Sequence, residues 1–108
     1  MAVAFLQEWK AATPGTSNYD AVRERLDADN NPPEGLIAHT AGRDSAGVFR
    51  IFDIWVSGEH AQRFHEDRVM PIVQQLMSQQ GADMPPPDTM ETYELHDLIQ
   101  PETRMTAR

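Results

Sequence analysis

The sequence predicts an α+β domain in which two helices cover one face of a four-stranded antiparallel sheet. Four segments have the apolar or alternating pattern of strands, and two others have apolar residues spaced by three and four positions, as helices do. Their order is strand, helix, strand, strand, helix, strand, which is the ferredoxin-like β-α-β-β-α-β arrangement. We expect one domain over residues 1–99 and a polar tail over 100–108.

The first strand and the first helix are separated by a turn-rich segment. VAFLQEW (3–9) is short, apolar and aromatic, and TPGTS (13–17) follows it. A helix is predicted over 18–28, and it ends before two prolines because the residue preceding a proline avoids helical geometry. Its apolar stripe, which is typical of a helix packed on a core, consists of Tyr19, Val22 and Leu26.

The other three strands are a hairpin and a late strand. The runs 35–42 and 47–56 are joined by RDSA, a polar loop between flanking glycines, which favours a short β-hairpin. The run 89–99 alternates and follows a proline-rich connection, so it is predicted as the last strand.

The second helix is predicted from its cap and from an interruption. Ser57 is the expected N-cap, with an acidic residue in the first turn behind it. Pro71 lies inside the apolar pattern, where a proline removes a backbone hydrogen bond and clashes with the previous turn. We therefore expect the helix to kink, or to restart with Val69 and Met70 at the new beginning.

Composition and charge exclude several classes of function. The 108 residues include 9 basic and 17 acidic side chains, a net charge of −8, and no cysteine. This charge repels phosphate groups, so neither nucleic acid nor an anionic membrane is an expected partner. Thiolate ligands are absent and the histidines lack metal-site spacing, so no metal is expected. Without a signal peptide or a membrane-spanning window, the chain is expected to be cytoplasmic.

Both faces of the predicted sheet are apolar. In the third strand Phe49, Ile51 and Trp55 lie on one side, and Phe52 and Ile54 lie on the other. A sheet with one face in water would alternate between apolar and polar residues instead. Since the helices cover one face only, we expect a second copy of the chain to cover the other in a two-fold homodimer. The alternative is a monomer with an exposed apolar sheet.

Two long segments carry a resemblance to a known family. DIWVSGEHAQRFHEDRVMP (53–71) and METYELHDLI (90–99) resemble the dimeric α/β-barrel superfamily, on its antibiotic-biosynthesis-monooxygenase-like branch and especially its uncharacterised members. The resemblance implies a homodimer whose subunits each hold a small apolar or aromatic molecule, polyketide-like or quinol-like, between sheet and helices. It covers roughly residues 3–99 and is densest at Trp55, Ser57, Glu59 and Phe64.

The resemblance also bears on the chemistry. The superfamily includes cofactor-independent oxygenases of polycyclic aromatics, quinol oxygenases, polyketide cyclases, lactone isomerases and haem-degrading enzymes. The haem-degrading members use an asparagine on the first strand with a tryptophan and a histidine on the second helix. Gln7 and Phe64 stand at the first two of these positions, and the second half of the helix has no histidine. Haem binding is therefore a minor alternative, and no cofactor is expected.

Asp53 is a carboxylate in the middle of an apolar strand. Burying it costs free energy unless it is hydrogen-bonded, paired or protonated. Arg50, three positions away, points to the opposite face, so the partner of Asp53 must come from elsewhere. In one hairpin register His39 lies diagonally next to Asp53, and in a register shifted by one it lies beside Arg50 and Phe52. A purely structural pairing of Asp53, or a place at the dimer seam, is the alternative to a functional one.

His65 is predicted on the sheet-facing side of the second helix. It lies four residues after Ala61 and four before Val69, both apolar. Facing the sheet, it could accept a proton near neutral pH. The structural alternative is a histidine at the edge of the core, bonded to a backbone carbonyl. His60 is expected to point into solvent.

Five further side chains are candidates for binding a small molecule. A polar amide beside aromatic rings can orient a carbonyl or hydroxyl group of a ligand, and the aromatic rings can line or cap a cavity. Aromatic residues on strands usually form core, which is the alternative. The five are Gln7, Trp9, Trp55, Phe64 and Tyr93.

Two hypotheses for function follow. In the first, the protein catalyses cofactor-independent oxygenation or isomerisation of a small apolar or aromatic molecule, with His65, His39 and Asp53 as candidate catalytic residues. In the second, it is a non-catalytic binding or structural module whose polar core residues support the fold. The two differ in whether these three side chains meet around one cavity.

Overall fold

The computed structural model has the predicted α+β architecture. It describes residues 1–10 and 17–101. The fold class and the order of elements are confirmed, while the predicted tail lies outside the described residues from position 102 onward. The strands are β1 (Val3–Trp9), β2 (Leu36–Arg43), β3 (Phe49–Trp55) and β4 (Thr89–Glu94), and the helices are α1 (Ser17–Leu26), α2 (Gly58–Phe64) and α3 (Met70–Gln80).

The four strands form one antiparallel sheet in the order β2-β3-β1-β4. The central strands β1 and β3 are the most buried, and β2 and β4 are the edges. Phe5 on β1 and His39 on β2 both lie directly opposite Asp53 on β3. Residues opposite one another share a face, so these three side chains are on one side of the sheet.

The hairpin between β2 and β3 sets the register of His39. Arg43 pairs with Phe49, and the Asp44 carboxylate closes the loop by accepting hydrogen bonds from the backbone N–H groups of Ala46 and Val48, at 2.9 and 3.0 Å. His39 is therefore directly opposite Asp53. Both registers considered from the sequence are wrong, because the loop covers residues 44–48 and not the predicted residues 43–46.

A β-bulge in β2 adjusts the other end of the hairpin. Leu36 pairs with Trp55 and Ala38 pairs with Ile54, so Ile37 is an extra residue without a partner on β3. If Ile37 were instead paired in a regular ladder that starts at Leu36, His39 would lie opposite Phe52 and on the other face of the sheet.

The predicted interruption of the second helix is a π-helical turn. It covers His65–Val69 between α2 and α3, and the Met70 N–H bonds to the His65 carbonyl. Pro71 lies in the first turn of α3, where a residue without an N–H is tolerated. The sequence predicted a restart of the helix at this point. The predicted cap at the other end is also present, since the Ser57 hydroxyl accepts the His60 N–H at 3.2 Å.

His60 is not in solvent, contrary to the prediction. Its ring is 27% exposed, its Nδ1 lies 2.7 Å from the Ser57 hydroxyl and its Nε2 lies 3.7 Å from a Glu34 carboxylate oxygen. The ring also packs on Gly35, where an added Cβ would lie 2.6 Å from it. Helical periodicity predicts which side of α2 faces the sheet, but it does not predict that the loop before β2 covers His60.

Two elements end earlier than predicted. Helix α1 ends at Leu26, because Asp27 has a φ of 50° and turns the chain out of the helix. Strand β4 ends at Glu94, so His96, assigned to that strand from the sequence, is an exposed residue beyond it. No helix in the described part of the chain is both long and apolar enough to cross a membrane.

The core lies between the sheet and the helices. Val3, Phe5, Trp55 and Ala61 form a buried cluster there, with Leu36 and Phe64 packed against it. The second face of the sheet is also apolar, as predicted, with half-buried side chains at Leu6, Phe52 and Ile54 and a 43% exposed Tyr93. On this face Arg50 bonds Glu8 on the neighbouring strand, with 2.5 Å between the Arg50 Nε and a Glu8 carboxylate oxygen.

Candidate functional site

His39 and Asp53 form a short hydrogen-bonded contact on the helix-facing side of the sheet. The His39 Nδ1 and the Asp53 Oδ1 are 2.6 Å apart. The Asp53 side chain is 8% exposed and the His39 side chain is 33% exposed, because β3 is central and β2 is an edge strand. A carboxylate in this position accepts a hydrogen bond from Nδ1–H, which leaves Nε2 as the ring nitrogen that can bond to another group.

The Tyr19 hydroxyl group is hydrogen-bonded to that second ring nitrogen. Its hydroxyl oxygen is 2.5 Å from the His39 Nε2, and the two rings are nearly parallel, at 5°. With Nδ1–H donating to Asp53, the phenol O–H donates to Nε2. Asp53, His39 and Tyr19 therefore form one hydrogen-bonded chain that runs from the sheet to α1. Below, these three residues are called the triad.

The surroundings of Tyr19 oppose its ionisation. Burial raises the pKa of the Tyr19 phenol, the Arg23 guanidinium one helical turn further on lowers it, and the Asp53 carboxylate raises it again, with a net rise. The phenol is thus a proton donor at neutral pH. From the sequence Tyr19 was only one member of the apolar stripe of α1. Its phenolic hydroxyl was the one signal that it could be more than core.

An aromatic wall borders the triad. The Phe49 ring lies edge-on to Tyr19 at 5.6 Å between centroids, and the Trp9 ring is 6.1 Å from Phe49. The Trp9 indole N–H donates to the Pro85 carbonyl at 3.0 Å, which fixes the ring in place. These rings offer an apolar surface beside a polar, hydrogen-bonded group, which is the composition of many small-molecule sites.

Gln7 is the polar side chain nearest to this wall on β1. It is 8% exposed, and it lies diagonally to Asp53 because its direct partner on β3 is Ile51. Its amide makes no hydrogen bond to any residue that the structure describes. The Gln7 amide is not one of the fully buried polar groups without a partner, so it is open to a hydrogen bond from a ligand.

His65 faces the sheet as predicted but is separate from the triad. Its ring packs edge-on against Phe5 at 5.8 Å between centroids, over the central strand β1. Burial lowers the pKa of this half-buried imidazole, and Glu66 raises it by less. Within the described residues its ring makes no hydrogen bond to His39 or Asp53. The structure therefore brings together two of the three candidate catalytic residues and leaves His65 apart.

The other three candidate binding residues have different surroundings. Trp55 is 1% exposed and packs on Phe64 at 5.2 Å, so both belong to the core. The Trp55 indole nitrogen is buried without a hydrogen-bond partner among the described residues. Tyr93 pairs with Ala4 and lies on the opposite face of the sheet from Asp53. It is therefore not part of the surface around the triad.

Two depressions on the molecular surface lie along α2 and not at the triad. The larger has a volume of about 360 Å³ between α2 and the segment before β2, and the other has about 220 Å³. None of the three triad residues lines either of them. Across residues 1–10 and 17–101, no group of three or more histidine, aspartate and glutamate side chains could hold a metal ion.

Solved structures share this fold at low sequence identity. Rv0793 from Mycobacterium tuberculosis superposes with a TM-score of 0.65 at 12% identity, over 93% of this chain and 100% of that one. NE2512 from Nitrosomonas europaea, a protein of unknown function, gives 0.62 at 22% identity over 94% and 96%. A mutant of SnoaB, a cofactor-independent oxygenase from Streptomyces nogalater, gives 0.60 at 14% identity over 94% and 98%.

Other comparisons bear on how far this similarity extends. No family model matches the chain, and no curated protein matches it. At these identities the structural matches establish the fold and not the activity. The chain shares its fold with these three proteins and with two putative antibiotic biosynthesis monooxygenases, from Chloroflexus aurantiacus and Deinococcus radiodurans.

Proposed function

We propose that the protein is a cofactor-independent enzyme that removes a proton from a small aromatic molecule, as an oxygenase or an isomerase does. The observation that carries this proposal is the 2.6 Å contact between His39 and Asp53. It lies between the sheet and the helices, in a fold shared with a cofactor-independent oxygenase. An imidazole oriented by a buried carboxylate is a common general base.

The chemistry needs only a base and a suitable substrate. The substrate gives up a proton, its electron pair stays behind as a carbanion or phenolate, and the imidazolium that forms faces the Asp53 carboxylate. In the oxygenase version the anion transfers electrons to dioxygen, which is the oxidant. In the isomerase version the proton returns at a different carbon. Both versions require a phenolic or enolisable substrate and a site that excludes water.

The aromatic wall supports an aromatic substrate. Phe49 and Trp9 present ring surfaces next to the triad, and Gln7 can donate to a carbonyl oxygen of a bound molecule. Amide donation to that oxygen would stabilise the negative charge that develops there. A polycyclic phenol or quinol combines these features, with apolar rings and an ionisable hydroxyl group.

We also propose that the working form is a homodimer. The second sheet face carries apolar side chains from three strands and a hydrogen-bonded Arg50 and Glu8 pair. Such a face is unusual on a monomer, and a two-fold copy would cover it. The triad lies on the other face, so the dimer would stabilise the sheet without closing over the site.

Oxygen consumption with 1,8-dihydroxyanthrone tests the catalytic proposal, because this compound has acidic methylene protons and phenolic hydroxyls. The wild-type protein should consume oxygen or isomerise the compound, and His39→Gln should lower the rate about 100-fold or more. His96→Gln, at an exposed histidine outside the sheet, is the matched control and should keep the wild-type rate. Equal rates for the two variants would refute the role of His39.

The second candidate function is a non-catalytic binding module. The observation that favours it is that no triad residue lines either of the two depressions along α2, and that Trp55 is buried in the core. In that case the compound would bind to the wild-type protein without being consumed, and His39→Gln would change stability only. The same assay, combined with a binding titration, separates the two functions.

A further inference from the structure

We propose that Tyr19, and not His39, is the group that touches the substrate, and that it passes the substrate's proton to His39. This inference rests on the proposed function and names the acceptor within it. Both ring nitrogens of His39 are already bonded, Nδ1 to Asp53 at 2.6 Å and Nε2 to the Tyr19 hydroxyl at 2.5 Å. A substrate could reach Nε2 only by displacing the phenol.

The phenol oxygen is suited to this position. It donates its proton to Nε2 and keeps two lone pairs, which point away from His39 and can accept a proton from a bound molecule. Phe49 packs edge-on to the same ring at 5.6 Å and Arg43 lies over Phe49 at 5.7 Å, so the phenol stands at a border between apolar and charged groups. An aromatic hydroxyl that enters along Phe49 would meet the Tyr19 oxygen first.

The transfer balances without another reactant. The substrate's O–H or C–H bond breaks and its proton bonds to the Tyr19 oxygen, while the Tyr19 O–H bond breaks and that proton bonds to Nε2. Tyr19 ends neutral, the imidazolium faces Asp53, and the electron pair remains on the substrate. This is the arrangement of a serine, histidine and aspartate triad with a phenol in place of the serine and with no covalent bond formed.

Charge near Tyr19 defines the class of substrate. The Arg23 guanidinium lies close enough to lower the pKa of the phenol against the effect of burial, and it also pairs with Asp29 at 3.3 Å. A cation at this place would stabilise an anion formed on the substrate. We therefore expect a phenol or an enolisable aromatic ketone, and not an amine or an ester, to be the preferred class.

Anaerobic deuterium exchange isolates this proton transfer from any reaction with oxygen. The methylene group of 1,8-dihydroxyanthrone in D₂O reports proton removal alone. The wild-type protein should catalyse exchange, and both Tyr19→Phe and His39→Gln should lower the rate about 100-fold. Binding of the compound to Tyr19→Phe, measured by quenching of the fluorescence of the two tryptophans, should weaken by no more than about ten-fold, because only one hydrogen bond is lost.

The outcomes separate this inference from the proposed function. Exchange by Tyr19→Phe at the wild-type rate, with His39→Gln inactive, would overturn the role of Tyr19 and leave His39 as the base. Loss of binding together with exchange would reduce Tyr19 to a positioning residue and also overturn it. A wild-type protein that binds the compound and exchanges nothing would overturn the proposed function, and the inference with it.

A measurement on the wild-type protein covers the case in which Tyr19→Phe does not fold. The chain has two tyrosines, and Tyr93 lies on the opposite sheet face. With tyrosine labelled by ¹³C at the hydroxyl-bearing carbon, saturating 1,8-dihydroxyanthrone should shift the Tyr19 signal and leave the Tyr93 signal in place. A variant Tyr93→Phe assigns the two signals. An unmoved Tyr19 signal in the saturated protein would overturn the proposal.

Discussion

The contact between His39 and Asp53 allows a quantitative test by a double-mutant cycle. Asp53→Asn, His39→Gln and the double variant remove the charge, the ring and both in turn. A hydrogen bond to a charged group such as a carboxylate contributes about 1.5–3 kcal/mol. The Asp53 side chain is 8% exposed, but the His39 side chain is 33% exposed, so solvent screening lowers the expected coupling to about 1–2 kcal/mol.

Each single variant should lose about 1–2 kcal/mol of unfolding free energy, and the double variant should lose less than the sum. The asparagine carbonyl can still accept a neutral hydrogen bond from Nδ1, which is why Asp53→Asn is milder than a truncation. At about 5 °C per kcal/mol for a domain of this size, each single variant should melt about 5–10 °C below wild type.

Urea unfolding followed by tryptophan fluorescence gives the four free energies. Protein concentration must be the same in each experiment, because a dimer gains stability with concentration. Losses that add to within about 0.3 kcal/mol would refute the reasoning, since they would mean that the two side chains do not interact in solution. A coupling that vanishes in high salt would show instead that the pair is more exposed than its burial indicates.

Three further predictions concern the fold and the dimer. Gly35→Ala should lower the unfolding free energy by more than about 1 kcal/mol, because Gly35 has a φ of +84° and a Cβ would lie 2.6 Å from the His60 imidazole. Gly42→Ala, where an added Cβ has nothing within 4 Å, should be nearly neutral in the same melting experiment. Burial lowers the pKa of His65, so the folded state binds fewer protons than the unfolded state and stability falls as pH drops below the ordinary value of 6.5. His65→Leu should therefore lose less melting temperature than wild type between about pH 7.5 and 5.5, and an equal loss would contradict the assignment. Phe52→Glu should shift sedimentation towards the monomer, while Met77→Glu, at an exposed position of α3, should not. A wild-type protein that sediments as a monomer at micromolar concentration would contradict the dimer proposal.

The fold could be predicted because each element has a local pattern of its own. Apolar runs between turn residues identified the first three strands and alternation identified the last, while Ser57 and Pro71 marked the start and the interruption of the second helix. The end of α1 was missed because a single residue, Asp27, adopts a positive φ that no pattern encodes. Strand β4 was made too long because its apolar residues continue past the last pairing with β1.

The site was harder to predict because it depends on register and on a second element. Strand parity already placed Asp53 and His39 as possible neighbours, but the carboxylate of Asp44 decides how the hairpin closes, and its hydrogen bonds are not visible in composition. Tyr19 approaches from α1, and the angle at which a helix crosses a sheet does not follow from its own periodicity. Periodicity could place it on the buried side but could not identify the atom that it meets.

The bulge at Ile37 lets β2 make two pairings with β3 that a regular ladder through Ile37 could not make together. Leu36 must reach Trp55 in the core, and His39 must reach Asp53 at the site. A chain without Ile37 could keep both pairs, because Leu36 and Ala38 would then be adjacent along a regular strand. A residue inserted beside Ile37 would enlarge the bulge and leave the same pairs in place. A one-residue insertion or deletion at Ile37 should therefore leave His39 opposite Asp53, whereas a substitution of His39 itself removes the pair.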